Sequence, residues 1–193
     1  MSYIDIEKKY KRGPQIIMRK DAANIVAETG LQPNWKCLDL GGGSGFLALF
    51  IANLVPQGSV TTYELKKEHV DIIKKNIESS GFKNIKVMNK PAENFTGNGY
   101  DLITMDVRNA DKLITKAFAA LKNGGWLAVY SPHIEQQIKS VSIMEKFSKV
   151  KIIETIRREW TSVHGFTHPM PSQVVHTGFI AIGRKSTYQN KKP

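Results

Sequence analysis

A chain of 193 residues, 41% of them hydrophobic, can build one core of ordinary domain size, which excludes a wholly disordered protein. Its single cysteine, Cys37, excludes an internal disulfide framework and a Cys-based metal cluster, and a reducing, cytoplasmic setting is expected. Lys and Arg total 28 against 17 Asp and Glu, and a net charge of +11 attracts phosphates, so a nucleic-acid partner is expected.

No apolar run approaches the roughly 18–20 residues of a membrane span, so no membrane role is expected. The opening MSYIDIEKKYKRG is charged and unlike a secretory signal. The chain reads as one domain over 1–193, with a basic arm at 1–14 and a basic tail at 186–193.

Lys36–Leu40 reads as a strand, followed after a glycine turn by an apolar helix, Phe46–Leu54. A β-branched strand at 59–65 precedes a helix at 68–79, with Val70, Ile73 and Ile77 on one face. Residues 85–88 and 100–107 read as the third and fourth strands. A helix at 111–121 is stopped by Asn123-Gly124-Gly125. A fifth strand at 126–130 and a helix at 134–147 follow. Finally, 150–156 and 174–182 read as strands flanking a polar loop at 161–172, a candidate lid. Five βα repeats imply a parallel sheet, because parallel neighbours need crossovers. The last two strands, with no helix between them, imply an antiparallel pair at one edge. The expected fold is therefore α/β: a Rossmann-like, seven-stranded, mostly parallel sheet with an antiparallel edge strand, binding its ligand at the carboxyl ends of the strands.

The first strand runs into Gly41-Gly42-Gly43-Ser44-Gly45. Glycines suit a turn where a ligand approaches the backbone and φ is positive. Amides of Ser44 and Gly45, at the start of the helix, can receive a carboxylate or a phosphate. Gly43-x-Gly45-x-x-Ala48 satisfies a dinucleotide fingerprint, with Glu64 about 20 residues on. Glu64 can accept both hydroxyl hydrogens of a ribose, in NAD or S-adenosylmethionine alike, so an NAD-dependent oxidoreductase stays open. Asp39 would repel a pyrophosphate and can reach the α-amino group of a methionine. Pro91-Ala92-Glu93 follows the third strand, with the Ala92 amide or the Glu93 carboxylate placed for an adenine edge.

Four stretches carry a family resemblance: Arg12-Gly13-Pro14-Gln15-Ile16-Ile17-Met18-Arg19-Lys20-Asp21, the glycine segment 38–48 with Glu64, Tyr100-Asp101-Leu102-Ile103-Thr104-Met105-Asp106, and His168-Pro169 with His176-Thr177-Gly178-Phe179-Ile180. Together they resemble the tRNA (adenine-N1-)-methyltransferases of archaeal and bacterial type. The resemblance implies S-adenosylmethionine as cofactor, contacted by Gln15, Gly41, Gly43, Glu64 and Glu93. It implies that Asp106 is catalytic, faces the target adenine of a tRNA and adjoins the cofactor, and that the protein forms a homo-oligomer, a tetramer in such relatives. Adenine N1 is a nucleophile once aimed at the methyl group, so alignment and a carboxylate partner would suffice, after the base is flipped out of its stack. The chain departs from the family in lacking the usual N-terminal domain before Gln15. It also has Val107-Arg108-Asn109-Ala110 where an apolar, Pro-containing run is usual. Two further readings remain: a small-molecule methyltransferase of the corrinoid-pathway type, and a catalytically idle subunit that binds RNA or a partner.

Arg108, His133 after Ser131-Pro132, Arg158 beside Arg157 and Trp160, His168 and His176 are candidate substrate contacts. His164 lies in the same polar loop as His168. No Cys or acidic partner stands at metal-ligand spacing from the histidines, so no metal site is expected.

Overall fold

A computed structural model describes residues 2–13, 16–163 and 165–186. Two helices, α1 (Tyr3–Glu7) and α2 (Arg19–Thr29), precede the first strand. Then come β1 (Lys36–Leu40), α3 (Phe46–Leu54), β2 (Ser59–Glu64), α4 (Lys67–Ser80) and β3 (Ile85–Asn89). A single 3-10 turn, Ala92–Asn94, leads to β4 (Tyr100–Met105), α5 (Ala110–Ala120), β5 (Leu121–Ser131) and α6 (Ile134–Ile143). The chain continues with β6 (Phe147–Glu154), β7 (Trp160–Val163), β8 (Phe166–Pro169) and β9 (Phe179–Lys185).

Seven strands form one sheet in the order β3-β2-β1-β4-β5-β9-β6. The first five are mutually parallel, and β9 pairs antiparallel with both β5 and β6, so the antiparallel member falls at the expected end of the sheet. The order reverses between β1 and β4, which places the switch-point crevice at their carboxyl ends. Successive strand residues face opposite helical layers. Leu102, Ala128 and Ile182 pack with Ile25 and Leu49 on the α2–α3 side. Ile103, Leu127 and Ala181 pack with Ile114 and Met144 on the α5–α6 side. Each such Ile or Leu contributes about 1.5–3 kcal/mol of burial. The strands therefore read as continuous apolar runs because both faces are covered.

The N-terminal segment packs against this frame. Tyr3 meets Phe50 edge-on at 5.3 Å between centroids, and Tyr10 meets Phe46 at 5.6 Å. Several expectations are corrected. The connection after β3 holds one 3-10 turn and not an α-helix, so four of the five repeats are βα units. The sixth helix ends at Ile143, and Phe147 already opens β6. Residues 174–178 lie outside β9, which begins at Phe179. The segment expected as a polar lid loop contains a two-stranded hairpin, with Trp160 opposite Pro169 and Val163 opposite Phe166. Its physical basis is the alternation of aromatic and β-branched residues about Gly165, whose φ of 83° suits a hairpin turn.

Candidate active site

The parallel register builds the site. Asp39 of β1 stands opposite Thr62 of β2 and Thr104 of β4. Two residues further along these strands, on the same face, come Gly41, Glu64 and Asp106. Three carboxylates therefore converge at the switch point. The Asp39 carboxylate accepts the Thr62 hydroxyl at 2.7 Å and the Thr104 hydroxyl at 2.7 Å, with 3% of the residue exposed. Glu64 accepts the Gly43 amide at 2.8 Å and the Lys66 amide at 2.8 Å, so its carboxylate is aimed into the glycine loop. His69 Nδ1 stands 3.7 Å from Oε1 of that carboxylate.

Gly41 is required twice over. Its φ is 94°, and a Cβ there would meet the Asp106 carbonyl oxygen at 2.2 Å. This close approach is how the loop is seated against the end of β4. Gly45 caps α3 in the left-handed conformation at φ 85°, with its amide end toward the loop.

A cavity of about 610 Å³ opens here, lined among others by Gly41, Gly43, Glu64, Ala92, Glu93 and Asp106. A smaller pocket of the same loop is lined by Ile16, Ile17, Asp39, Gly41, Gly43, Ser44 and Asp106. The Ser44 hydroxyl is buried there without a hydrogen-bond partner among the described residues. A buried orphan donor costs about 1–3 kcal/mol unless a ligand meets it. Burial, then the charges of Asp39 and Glu64, push the Asp106 carboxyl up to about 7. Asp39 is also raised, first by burial, against the opposing effect of its two threonine hydroxyls. Such a site disfavours a pyrophosphate and favours a cation. S-adenosylmethionine carries an ammonium, a sulfonium and one carboxylate, so the three acids and the orphan hydroxyl suit it and not NAD.

Among the sequence-derived candidates, Asp39, Gly41, Gly43, Ser44, Glu64, Ala92, Glu93, Asp106 and Arg108 line these two cavities. Gln15 lies outside the described residues, as does His164. His133 is the N-cap residue of α6 and lines none of the described cavities. Arg158, Trp160 and His168 are exposed on or beside the β7–β8 hairpin and are not brought to the acids. His176 is engaged elsewhere: Nδ1 meets Glu154 at 2.6 Å and Nε2 meets the Pro132 carbonyl at 3.3 Å. Sequence reasoning passed over Lys66 and His69, which line the larger cavity just after Glu64. It also passed over Tyr130, near the carboxyl end of β5, a position that the strand-end rule marks.

The fold and this site define an S-adenosylmethionine-dependent methyltransferase, and the methyltransferase-domain family profile matches residues 31–177. The tRNA (adenine(58)-N(1))-methyltransferase of Thermus thermophilus is 31% identical over 184 residues, covering 91% of this chain and 71% of the relative. The chain belongs to this tRNA (adenine-N1-)-methyltransferase family. The crystal structure of the Aquifex aeolicus tRNA (m1A58) methyltransferase superposes with a TM-score of 0.86 at 25% identity, covering 95% of this chain and 75% of that one. A precorrin-6y C5,15-methyltransferase from Geobacter metallireducens has a TM-score of 0.75 at 14% identity, covering 93% of this chain and 96% of that one, and shows the shared fold alone. No helix among the described residues is long and apolar enough to cross a membrane.

Proposed function

We propose that this protein methylates N1 of an adenine in tRNA. The observation that carries the reading is the Asp106 carboxylate at the end of β4, on the wall common to the glycine-loop cavities, in a chain of this family. In this reading Glu64 holds the ribose hydroxyls, and Asp39 and Ser44 receive the ammonium and carboxylate of the methionine part. Gly41 and Gly43 let the backbone come close, Gly45 caps α3 behind them, and Ala92 and Glu93 border the adenine.

When bound, the cofactor supplies an electrophilic methyl group on a sulfonium. The chain's own residues do the rest. Asp106, as a carboxylate, accepts a hydrogen bond from the exocyclic amine of the target adenine and so turns N1 toward the methyl group. Methylation leaves the base with a positive charge, and the same carboxylate offsets it. The walls of Tyr63, Val107 and Leu113 exclude water from the transfer. Association of copies of this chain also belongs to the proposal: Trp160 at 60%, Phe166 at 76% and Val174 at 67% exposure leave an apolar surface around the hairpin.

The test incubates the purified protein with methyl-labelled S-adenosylmethionine and unmodified tRNA, then digests the RNA to nucleosides. Label in N1-methyladenosine is expected. Label elsewhere, or none while the cofactor still binds, overturns the substrate and leaves the methyltransferase class standing.

A further inference from the structure

We infer that a second cavity, of about 450 Å³ and beside Asp106, holds a phosphate of the RNA backbone next to the target adenine, an inference that rests on the RNA-methylating reading above. Its lining includes Arg108, Lys112 and Lys139, with Asp111 as the one carboxylate among the lining residues. Three cations against one acid leave a positive cavity. None of the three has an ion-pair partner among the described residues. Some basic residues elsewhere are engaged: Lys122 pairs with Asp101 at 2.9 Å, and Lys185 donates to the Leu121 carbonyl at 2.7 Å. Cations converging on one concavity without partners of their own suit an anion from outside.

Helix α5 adds to the field. Its first residues, Ala110, Asp111 and Lys112, line the cavity, and its N-cap, Asn109, makes no side-chain cap bond. The partial positive charge of an 11-residue helix is therefore turned toward the same space.

Position decides which anion. Val107, Arg108, Asn109 and Lys112 line both this cavity and the larger one that contains Asp106. A base against Asp106 and a phosphate in the second cavity are separated by the width of that one loop, which suits adjoining parts of one nucleotide chain. Asp39, Glu64 and Asp106 face the space that suits a cationic cofactor, Arg108 and Lys112 stand on the wall shared by the two cavities, and Lys139 faces the second cavity alone. The run Arg108-Asn109, which departs from the family's apolar run, is then a backbone-binding element of this chain.

The test saturates the protein with S-adenosylhomocysteine and titrates it calorimetrically with adenosine and with adenosine 3′,5′-bisphosphate. The bisphosphate is expected to bind about tenfold more tightly, with the advantage falling as salt rises. Lys139 is exposed and lines the second cavity but not the larger one. Lys139→Gln is expected to reduce the advantage about threefold or more, and Lys139→Arg to retain it. Equal affinity for the two probes, or an advantage that Lys139→Gln leaves intact, overturns the inference. If tRNA proves not to be methylated while the bisphosphate preference still depends on Lys139, the phosphate site stands and the tRNA reading falls. If tRNA is methylated but Lys139→Gln leaves its KM unchanged, the tRNA reading stands and the phosphate site falls.

Discussion

Thr177 donates a hydrogen bond of 2.6 Å to Asp21 across 156 residues of chain. The same hydroxyl accepts from Lys20 at 2.7 Å, and Lys20 also reaches Asp21 at 2.9 Å and the Thr155 carbonyl at 2.5 Å. Tyr130 donates to the Thr177 carbonyl at 2.6 Å. Two stretches that carried the family resemblance separately, Arg19-Lys20-Asp21 and His176-Thr177-Gly178, are thus one contact fastening α2 to the far end of the sheet. The side chains of Lys20 and Asp21 are 8% and 0% exposed. Removing one partner strands the other as a buried charge, so Lys20→Met and Asp21→Asn should each cost about 3–5 kcal/mol. The double variant should lose much less than the sum of the two. Chemical denaturation of the four proteins checks this, and additive losses would sink it.

Asn76 fastens the other end of the N-terminal segment. It is fully buried on α4, accepts the Lys11 amide at 2.7 Å, and donates to the Lys11 and Ser44 carbonyls at 2.9 Å each. One amide side chain thereby ties the segment preceding Ile16 and Ile17 to the glycine loop. Asn76→Ala leaves three backbone groups unpaired, each worth about 1 kcal/mol or more. Affinity for S-adenosylmethionine should fall about tenfold, beyond what lower stability explains. Calorimetry well below the unfolding temperature is the check, and unchanged affinity would show the tie to be structural only.

Legibility followed geometry. Strands β1, β2 and β4 were plain because each is a short run rich in apolar or β-branched residues with a glycine or an acid at or just past its end: Gly41 follows β1, Glu64 ends β2 and Asp106 follows β4. The far end of the sheet was less plain. A register break between Ser148 and Lys151, with Lys149 at φ 54°, hides the first residues of β6 from a period-two reading. Residues 174–178 have strand-like composition, yet Thr177 and Gly178 serve closing contacts: a Cβ on Gly178 would meet the Tyr130 ring at 2.6 Å. Trp160 and His168 had the right chemistry for a substrate, but hairpin pairing carries them away from the acids. Lys139 joins Arg108 only through the packing of α6 against α5, which no local pattern announces.

Gly41→Ala tests the close approach of the loop to β4. A Cβ would overlap the Asp106 carbonyl, and the residue would be held at φ 94°. Strain of this kind costs about 1–3 kcal/mol. At roughly 2–4 °C per kcal/mol for a chain of this size, Tm should fall by several degrees. Cofactor affinity should fall with it, because the loop cannot reseat without moving Asp106. Thermal unfolding together with a cofactor titration reads both effects, and a variant with normal Tm and normal affinity would overturn the steric argument.

Asp106 sets the pH dependence. Its carboxyl is pushed up to about 7, first by burial and then by Asp39 and Glu64. A raised acid is protonated in the folded state at pH values where the unfolded chain has already released the proton. Its contribution to stability therefore falls as pH rises from about 4 to 7 and levels off above. Asp106→Asn should remove this share of the slope and leave the share of Asp39, which burial also raises. Catalysis runs the other way, because only the carboxylate can accept from the adenine amine and offset the new charge. The logarithm of kcat/KM should climb through about pH 7 to a plateau. Asp106→Asn should lose about 100-fold in kcat and the Asp106 limb of the profile, while still folding and binding cofactor. Affinity for S-adenosylmethionine should also rise through pH 7 more steeply than that for S-adenosylhomocysteine, which lacks the sulfonium charge. Equal pH slopes for the two ligands would place the sulfonium away from Asp106. Full activity in Asp106→Asn would remove its catalytic role, and no transfer in the unaltered protein with any RNA would favour an idle subunit.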